Sequence, residues 1–329
     1  MYSNYNILLY NSGGPATVGI IKSLKSINFT GKIIACDIDP LSAGSLMSDK
    51  NYVVPRTSDE DNFWKSIVDI ISNESINLII PSGHGSDFFA KRKYELEKMN
   101  VFLYMSDLEI IQLCENKYDF HNYILNSTIS HYLPKLYHKG TIATLLELYK
   151  LDKSQFEFPI FVKPIFGGGS RGILACMNFD ELCKVDKDNE FLFFEYLPGQ
   201  EYSVDVMITM KNDIICISPR KRLQTKAGIS TKGQIVIEPK INQLIEKMCE
   251  ILRLKGPVCI QLKRDNDDNI KIVEVNPRFG GGTYFTTLAG CNFMKMILDD
   301  MNHVNMEKIN PKSITIVRYF EEIVVQNDP

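Results

Sequence analysis

Several things are missing from this sequence, and each absence narrows what the chain can be. No apolar run approaches the roughly 20 residues that a membrane-spanning helix needs, and the opening MYSNYNILLYNSGG has no basic region followed by a long apolar core, so no secretory leader and no membrane partner are expected. The 37 Lys and Arg and 40 Asp and Glu nearly cancel, to a formal charge of −3. Nothing in that balance draws the chain to nucleic acid or to an anionic surface. The eight cysteines, Cys36 to Cys291, never form a CxxC pair. That argues for small buried thiols in a reducing, cytoplasmic setting rather than for a zinc ribbon or a dithiol centre. No Ser-His-Asp or Cys-His set is apparent, and the sequence has neither a repeat nor low complexity.

At 329 residues and 44% hydrophobic, the chain is large enough for two or three domains with substantial cores. Short apolar runs at 7–10, 32–37, 52–54, 78–80 and 101–104 alternate with helical patterns at 16–27, 59–73 and 87–98. This alternation predicts a parallel, doubly wound sheet with right-handed crossovers, ending near 105–115. The turn Ser12-Gly13-Gly14-Pro15, with Asp37 or Asp39 after the second strand, has the layout of a dinucleotide site. It is not G-x-G-x-x-G, which disfavours NAD. Ligands in open α/β sheets still gather at the carboxyl ends of the strands, so Gly13, Gly14, Asp37 and the loop around His84 are expected to line a substrate pocket. His84 itself is expected to be a loop histidine with no task.

Helices are expected at 108–113, 116–125 and 141–149, with a loop at 130–137. A strand at 158–164 ends in Lys163, and Gly167-Gly168-Gly169-Ser170-Arg171 follows before another strand at 173–176. Three glycines between two strands make a hairpin whose bare amides can wrap a phosphate, with Lys163 and Arg171 supplying charge. It is not a Walker A loop, because no Gly-Lys-Ser/Thr opens a helix. The strand 191–197 is apolar except for Glu195 and rises to Pro198-Gly199. Backbone groups around Tyr196 and Leu197 can meet a flat purine edge there, and Glu201 can reach sugar hydroxyls. A strand at 201–210 carries Asp205, and for Glu201 and Asp205 taken separately the alternative is an exposed hairpin acid. After a strand at 214–217, residues 218–233 read as a long basic loop without aromatics, suited to a small anion and not to single-stranded nucleic acid. A helix at 242–253 and a strand at 257–263 bearing Gln261 come next.

The chain is organised around KIVEVNPRFGGG, 271–282. Ile272, Val273 and Val275 make a β-branched strand on which Glu274, Asn276 and Arg278 recur with a period of two. An acid, an amide oxygen and a guanidinium then share one face. Unpaired charge on a buried face is costly, and a bound cation beside a bound anion accounts for it. Glu and Asn are hard oxygen ligands suited to Mg²⁺, and Arg suits a phosphate or carboxylate oxygen. An antiparallel partner strand would set Gln261 beside Glu274. The alternative is a strand end whose Arg and Glu pair only with each other.

In this order the pieces resemble the ATP-grasp superfamily, specifically its carbamoyl-phosphate-synthase-like branch. The resemblance covers nearly the whole chain and is most specific over 116–329. It implies a mixed α/β and α+β architecture. A Rossmann-like pre-ATP-grasp domain (1–115) would precede an ATP-grasp domain (116–329) made of a small lid subdomain (130–195) and a larger antiparallel sheet. It implies that Lys117 and Lys163 hold phosphate, that Gly167–Arg171 closes over the triphosphate, that Glu195, Tyr196 and Leu197 form the adenine hinge, and that Glu201 binds ribose. It further implies metal ligation by Gln261, Glu274 and Asn276, with Arg278 facing the transferred phosphoryl group and Arg222 and Gly228 in a substrate loop. Gln261 stands where the family often has a carboxylate, which should weaken metal binding modestly. The expected cofactors are ATP and Mg²⁺, with Mn²⁺ as a substitute, and the expected partners are a small carboxylate, an amine and, in the manner of similar proteins, a second copy of the chain. The implied activity is amide-forming ligation through an acylphosphate. Carboxyphosphate chemistry on bicarbonate and a non-catalytic ATP-binding module are the alternatives. The sequence is too short to hold a second ATP-grasp half, a glutaminase or a biotin carrier.

Overall fold

The computed structural model describes residues 2–83, 85–167 and 171–325. The first sheet is built from β1 (Asn6–Tyr10), β2 (Lys32–Asp37), β3 (Lys50–Val53), β4 (Leu78–Pro81) and β5 (Phe102–Leu103). All are parallel, in the order β3-β2-β1-β4-β5. Ile7, Leu8 and Leu9 are successive and all buried, as a parallel strand covered on both faces requires. The strand order reverses between β1 and β4, so the switch point lies beyond their carboxyl ends, at Asn11 and Ser82. The helix Pro15–Lys25 starts there with Pro15 in its first turn. The single helix expected at 87–98 is two, Ser86–Lys91 and Lys93–Lys98. Arg92 leaves helical geometry between them, with its guanidinium 3.9 Å over the Phe88 ring.

The middle of the chain forms a four-stranded antiparallel sheet, β6 (Leu136–Gly140), β7 (Ile160–Pro164), β8 (Leu174–Cys176) and β9 (Phe191–Glu195), in the order β6-β9-β7-β8. It packs its own core of Ile142, Leu145, Val162, Leu182 and Phe193. β6 begins at the end of the segment expected to be a loop, overlapping it at residues 136 and 137. LYHKG has no clean alternation, and it is a strand because the apolar β9 recruits it as an edge partner.

The largest sheet is antiparallel and six-stranded: β10 (Glu201–Ile208), β11 (Ile214–Lys226), β12 (Ile229–Ile235), β13 (Gly256–Arg264), β14 (Ile270–Asn276) and β15 (Thr315–Val317), ordered β14-β13-β10-β11-β12-β15. The helix Pro239–Leu252 buries Ile241, Leu244, Ile245, Met248 and Leu252 on one face of it. The expected basic loop at 218–233 is a hairpin. β11 runs on to Lys226, turns at Ala227 and Gly228 (φ 49° and 75°) and pairs with β12. Its charge does not break the strand because Arg220 and Arg222 are neutralised across the ladder by Asp205 and Glu201 of β10. One continuous core joins Ile7, Leu9 and Ile20 of the first sheet layer to Met207, Cys216, Phe279 and the helix Phe293–Met301. Tyr104 donates to Asp300 at 2.6 Å across the same junction. No thiol is in a disulfide, and all eight cysteines except Cys183 are buried. No helix among the described residues is long and apolar enough to cross a membrane.

Candidate active site

β13 and β14 set the site. Gln261 lies directly opposite Glu274 in the ladder, as expected, and the register slips immediately beyond it so that Val273 is the extra residue of a bulge. The bulge frees the Val273 carbonyl, which accepts from the Lys163 ammonium at 3.3 Å. Glu274, Asn276 and Arg278 all face one cavity of about 660 Å³, together with Gln261, Lys117 and Lys163. Arg278 donates to the Asn276 side-chain oxygen at 3.0 Å and to the Phe279 carbonyl at 3.1 Å. The bland alternative, an Arg278–Glu274 pair, is not what forms. Among the described residues neither side chain has an ion-pair partner within 4.0 Å.

The opposite wall comes from the four-stranded sheet and the helix Lys117–Leu125. Lys163, next to last in β7, is only 7% exposed. Burial pushes its ammonium down to about 8; Glu274 opposes that shift and Lys117 adds to it. The Lys163 ammonium also lies 4.5 Å over the Phe194 ring. Asn116 caps the next helix by accepting from Tyr118 and Asp119 amides, which fixes Lys117 at its first turn. The Lys117 ammonium donates to the Gly167 carbonyl at 2.7 Å and is itself lowered, chiefly by burial. Gly167 has φ 111°, a conformation natural to glycine, and a side chain there would meet nothing within 4 Å. Arg171 also lines the cavity. Gly168, Gly169 and Ser170 lie outside the described residues, as does His84.

Glu201 and Arg222 line the cavity too, held to each other by an ion pair, and Arg222 donates onward to the Gly228 carbonyl at 2.6 Å. The hinge residues stand just outside. The Glu195 carboxylate accepts from the Lys135 amide at 2.9 Å, Leu197 is buried, and Tyr196 carries the Lys263 ammonium 5.1 Å over its ring. Lys263 does line the cavity, and so connects it to the hinge. The first sheet contributes Asn11, Gly14, Pro15, Ser82 and Gly83 to the same cavity. Gly13 and Asp37 serve the fold instead. The Asp37 carboxylate accepts from the Gly13 amide at 2.6 Å and from the Asp39 amide at 3.1 Å, so a ribose could not reach it as in a dinucleotide site.

Sequence reasoning passed over Arg220, Ser203 and Cys259, which also line the cavity. Arg220 was findable: it stands two residues from Arg222, on the same face once 214–226 is read as a strand. Asp205 is not an exposed hairpin acid but 0% exposed, bound to Arg220 at 2.6 Å and to the Thr283 and Thr286 hydroxyls. A groove of about 910 Å³ between Leu108–Glu115 and Pro239–Leu252 is larger but brings together no comparable set of groups. No group of three His, Cys, Asp or Glu among the described residues is placed to hold a metal ion by itself. A metal here would rest on one carboxylate and two amide oxygens and take its remaining ligands from phosphate. That donor set is made of hard oxygens and fits Mg²⁺.

A family model described as ATP-grasp in the biosynthetic pathway with Ter operon matches residues 187–323, and a PylC-like N-terminal domain model matches residues 7–104. The chain is 23% identical over 273 residues to the arginine-specific carbamoyl phosphate synthase large chain of Halalkalibacterium halodurans, an alignment covering 78% of this chain but 24% of that one. It therefore spans about a quarter of the length of that curated relative. The biotin carboxylase domain dimer of the Hydrogenobacter thermophilus 2-oxoglutarate carboxylase, solved with MgADP and bicarbonate, superposes with a TM-score of 0.70 at 15% identity, over 93% of this chain and 71% of that one. The L-amino acid ligase of Bacillus licheniformis gives 0.66 at 17% identity, over 91% and 74%. The chain thus matches an ATP-grasp family model over residues 187–323, behind a PylC-like N-terminal domain match over residues 7–104, and shares the fold of these solved structures.

Proposed function

We propose that the protein is an ATP-dependent ligase that joins a small carboxylate to an amine through an acylphosphate, releasing ADP and phosphate. The observation that carries this reading is the convergence of Glu274, Asn276 and Arg278 with Lys117 and Lys163 on a single cavity. In it, residues 1–115 supply the wall for the substrates, 116–329 bind nucleotide, and 130–195 act as the lid. Glu274, Asn276 and Gln261 would hold Mg²⁺. When bound, the metal supplies charge neutralisation between the phosphates. Lys163 and Lys117 grip the phosphate chain, and the glycine hairpin, with Arg171 at its end, covers it. Tyr196 and Leu197 offer backbone to the base, Glu195 braces that segment, and Glu201 turns from Arg222 to the ribose. Arg278 is held by Asn276 and the Phe279 carbonyl, so its guanidinium is oriented before substrate arrives. It stabilises charge on the acylphosphate oxygens and then on the tetrahedral adduct. No side chain acts as a nucleophile. Exclusion of water by the closed hairpin protects the acylphosphate from hydrolysis.

Carboxyphosphate formation from bicarbonate is the second reading, favoured by the carbamoyl phosphate synthase relatives. Both are tested by release of ADP and phosphate over pooled carboxylic acids, amines and bicarbonate. Turnover that needs both a carboxylate and an amine supports the first, and turnover with bicarbonate alone supports the second. AMP release, or nucleotide binding with no turnover under any pool, overturns both. Glu274→Ala and Arg278→Ala are each expected to abolish turnover, with nucleotide binding surviving better in the second.

A further inference from the structure

The six-stranded sheet ends in an open edge. β15 is last in the order, paired to β12 on one side and to no strand on the other among the described residues. Its register fixes which groups are free. The Ile314 carbonyl accepts from the Ile235 amide at 2.8 Å, and the Arg318 amide donates to the Thr231 carbonyl at 2.8 Å. Main-chain groups alternate in direction along an antiparallel strand, so those of 314, 316 and 318 point to β12 and those of Thr315, Val317 and Tyr319 point outward.

Side chains alternate as well. Ile314 and Ile316 pack on a small core of Ile235, Phe285 and Ala289, and the Arg318 guanidinium lies 4.9 Å over the Phe285 ring. Thr315, Val317 and Tyr319 take the other face and are exposed, Val317 at 60% and Tyr319 at 80%; Phe320 follows at 87%. Edges are normally blunted by lysine, proline or a bulge. The three outward residues here are instead a threonine, a valine and a tyrosine, all strong strand formers.

This stretch is complementary to itself. A two-fold axis through Val317 sets Val317 against its own copy, Thr315 against Tyr319 of the second copy, Ile314 against Phe320, and the exposed Lys312 against the exposed Glu322. β-branched then meets aromatic, apolar meets apolar, and cation meets anion. Moving the axis by one residue spoils the match. Through Ile316 it brings Pro311, which has no N–H, to a bonding position opposite Glu321. Through Arg318 it sets two guanidinium groups directly opposite each other.

We propose that β15 is a dimer interface, through which two copies of this chain join edge to edge, antiparallel about Val317, into one sheet with six strands from each copy. The contact is isologous and closes on itself. On pairing, residues 318–322 continue β15 in extended form. About six main-chain hydrogen bonds result, shared among the Val317 pair and the two Thr315–Tyr319 pairs. Phe320 of each copy is covered by Ile314 of the other and enlarges the core around Phe285. None of this depends on the ligase reading above.

The test uses the full chain without nucleotide. Sedimentation equilibrium from about 1 to 100 µM is expected to show monomers converting to dimers. Val317→Pro removes the N–H at the axis, which points away from β12, so the ladder within each copy is kept. It should weaken dimerisation at least about tenfold with an unchanged melting temperature. Val317→Lys takes its place if the proline lowers that temperature. Lys312→Glu should also weaken the dimer, and adding Glu322→Lys to it should restore it. Val317→Cys should form an interchain disulfide on mild oxidation, because the Cα atoms of a bonded antiparallel pair lie about 5.5 Å apart. Thr315→Cys should not cross-link to itself but should do so when mixed with Tyr319→Cys. The parent, whose cysteines are all buried except Cys183, is the control. A parent that stays monomeric at about 100 µM overturns the proposal, whether the edge is left bare or is taken by another protein. So does a dimer that Val317→Pro and Val317→Lys leave intact, which would place the contact on another face. Failure of the exchanged Lys312 and Glu322 charges to restore the dimer, or self-cross-linking of Thr315→Cys as ready as that of Val317→Cys, also overturns it.

Discussion

Lys163 makes the site measurable by pH. Its ammonium sits 7% exposed between the Val273 carbonyl and the Phe194 ring, and burial holds its pKa near 8 against an ordinary 10.5. A nucleotide phosphate placed beside it favours the charged form and raises that value. Nucleotide binding should therefore draw in a proton above pH 8. Affinity should be flat below pH 8 and fall by at most about tenfold per pH unit above it, until the bound-state pKa is reached. Lys163→Met removes a charge-assisted contact worth about 1.5–3 kcal/mol, or roughly 10- to 100-fold in affinity at pH 7. It should also abolish the slope above pH 8. Stability of the free protein carries the opposite sign. Between pH 8 and 10.5 the unfolded lysine holds a proton that the folded one has released, so stability should climb with pH. Each unit of difference is worth about 1.36 kcal/mol, for a total on the order of 3 kcal/mol. Calorimetric titration with MgADP from pH 7 to 9.5, in buffers of differing ionisation enthalpy, reads both the affinity and the proton uptake. An affinity constant to pH 9.5 with no proton taken up, or an unchanged slope in Lys163→Met, refutes the reasoning.

Three further outcomes are expected. Asp205→Ala strands a guanidinium that is 1% exposed and leaves the Thr283 and Thr286 hydroxyls without an acceptor, so urea unfolding should show a loss of about 3–5 kcal/mol. A loss below about 1 kcal/mol would mean that Arg220 finds another partner. Tyr104→Phe removes the 2.6 Å hydrogen bond to Asp300 across the junction between the first and largest sheets, and should cost about 1–3 kcal/mol by the same measurement. Glu201→Gln loosens Arg222 and removes the acid proposed for the ribose. It should raise the KM for ATP with a smaller change in kcat, and a pure kcat effect would assign Glu201 elsewhere.

What could be read from the sequence followed from local periodicity. The parallel sheet announced itself through apolar runs alternating with helices, and the Gln261–Glu274 pairing followed from two strands and a short turn. Asn178 is of a residue type that caps helices, and its side chain does accept from the first turn of the helix Phe179–Leu182. The failures share a different cause. β11 carries Pro219, Arg220, Lys221 and Arg222, which no propensity rule reads as strand, and only the acids of β10 make those charges tolerable. The same blindness made Asp205 look exposed: its partner, Arg220, lies 15 positions away, and its two threonines lie about 80 away. β6 exists for its neighbour and not for its own composition. The Val273 bulge, which gives Lys163 its acceptor, left no mark in sequence at all.

The two larger sheets share one apolar interior, while the four-stranded sheet keeps an interior of its own. The walls that carry Glu274, Arg278 and the first turn of Pro15–Lys25 are thus welded together and cannot drift apart without exposing that interior to water. Lys163 belongs to the four-stranded sheet. Under the proposed function, a nucleotide would draw the four-stranded sheet toward the fused pair, because only the small sheet keeps its core to itself.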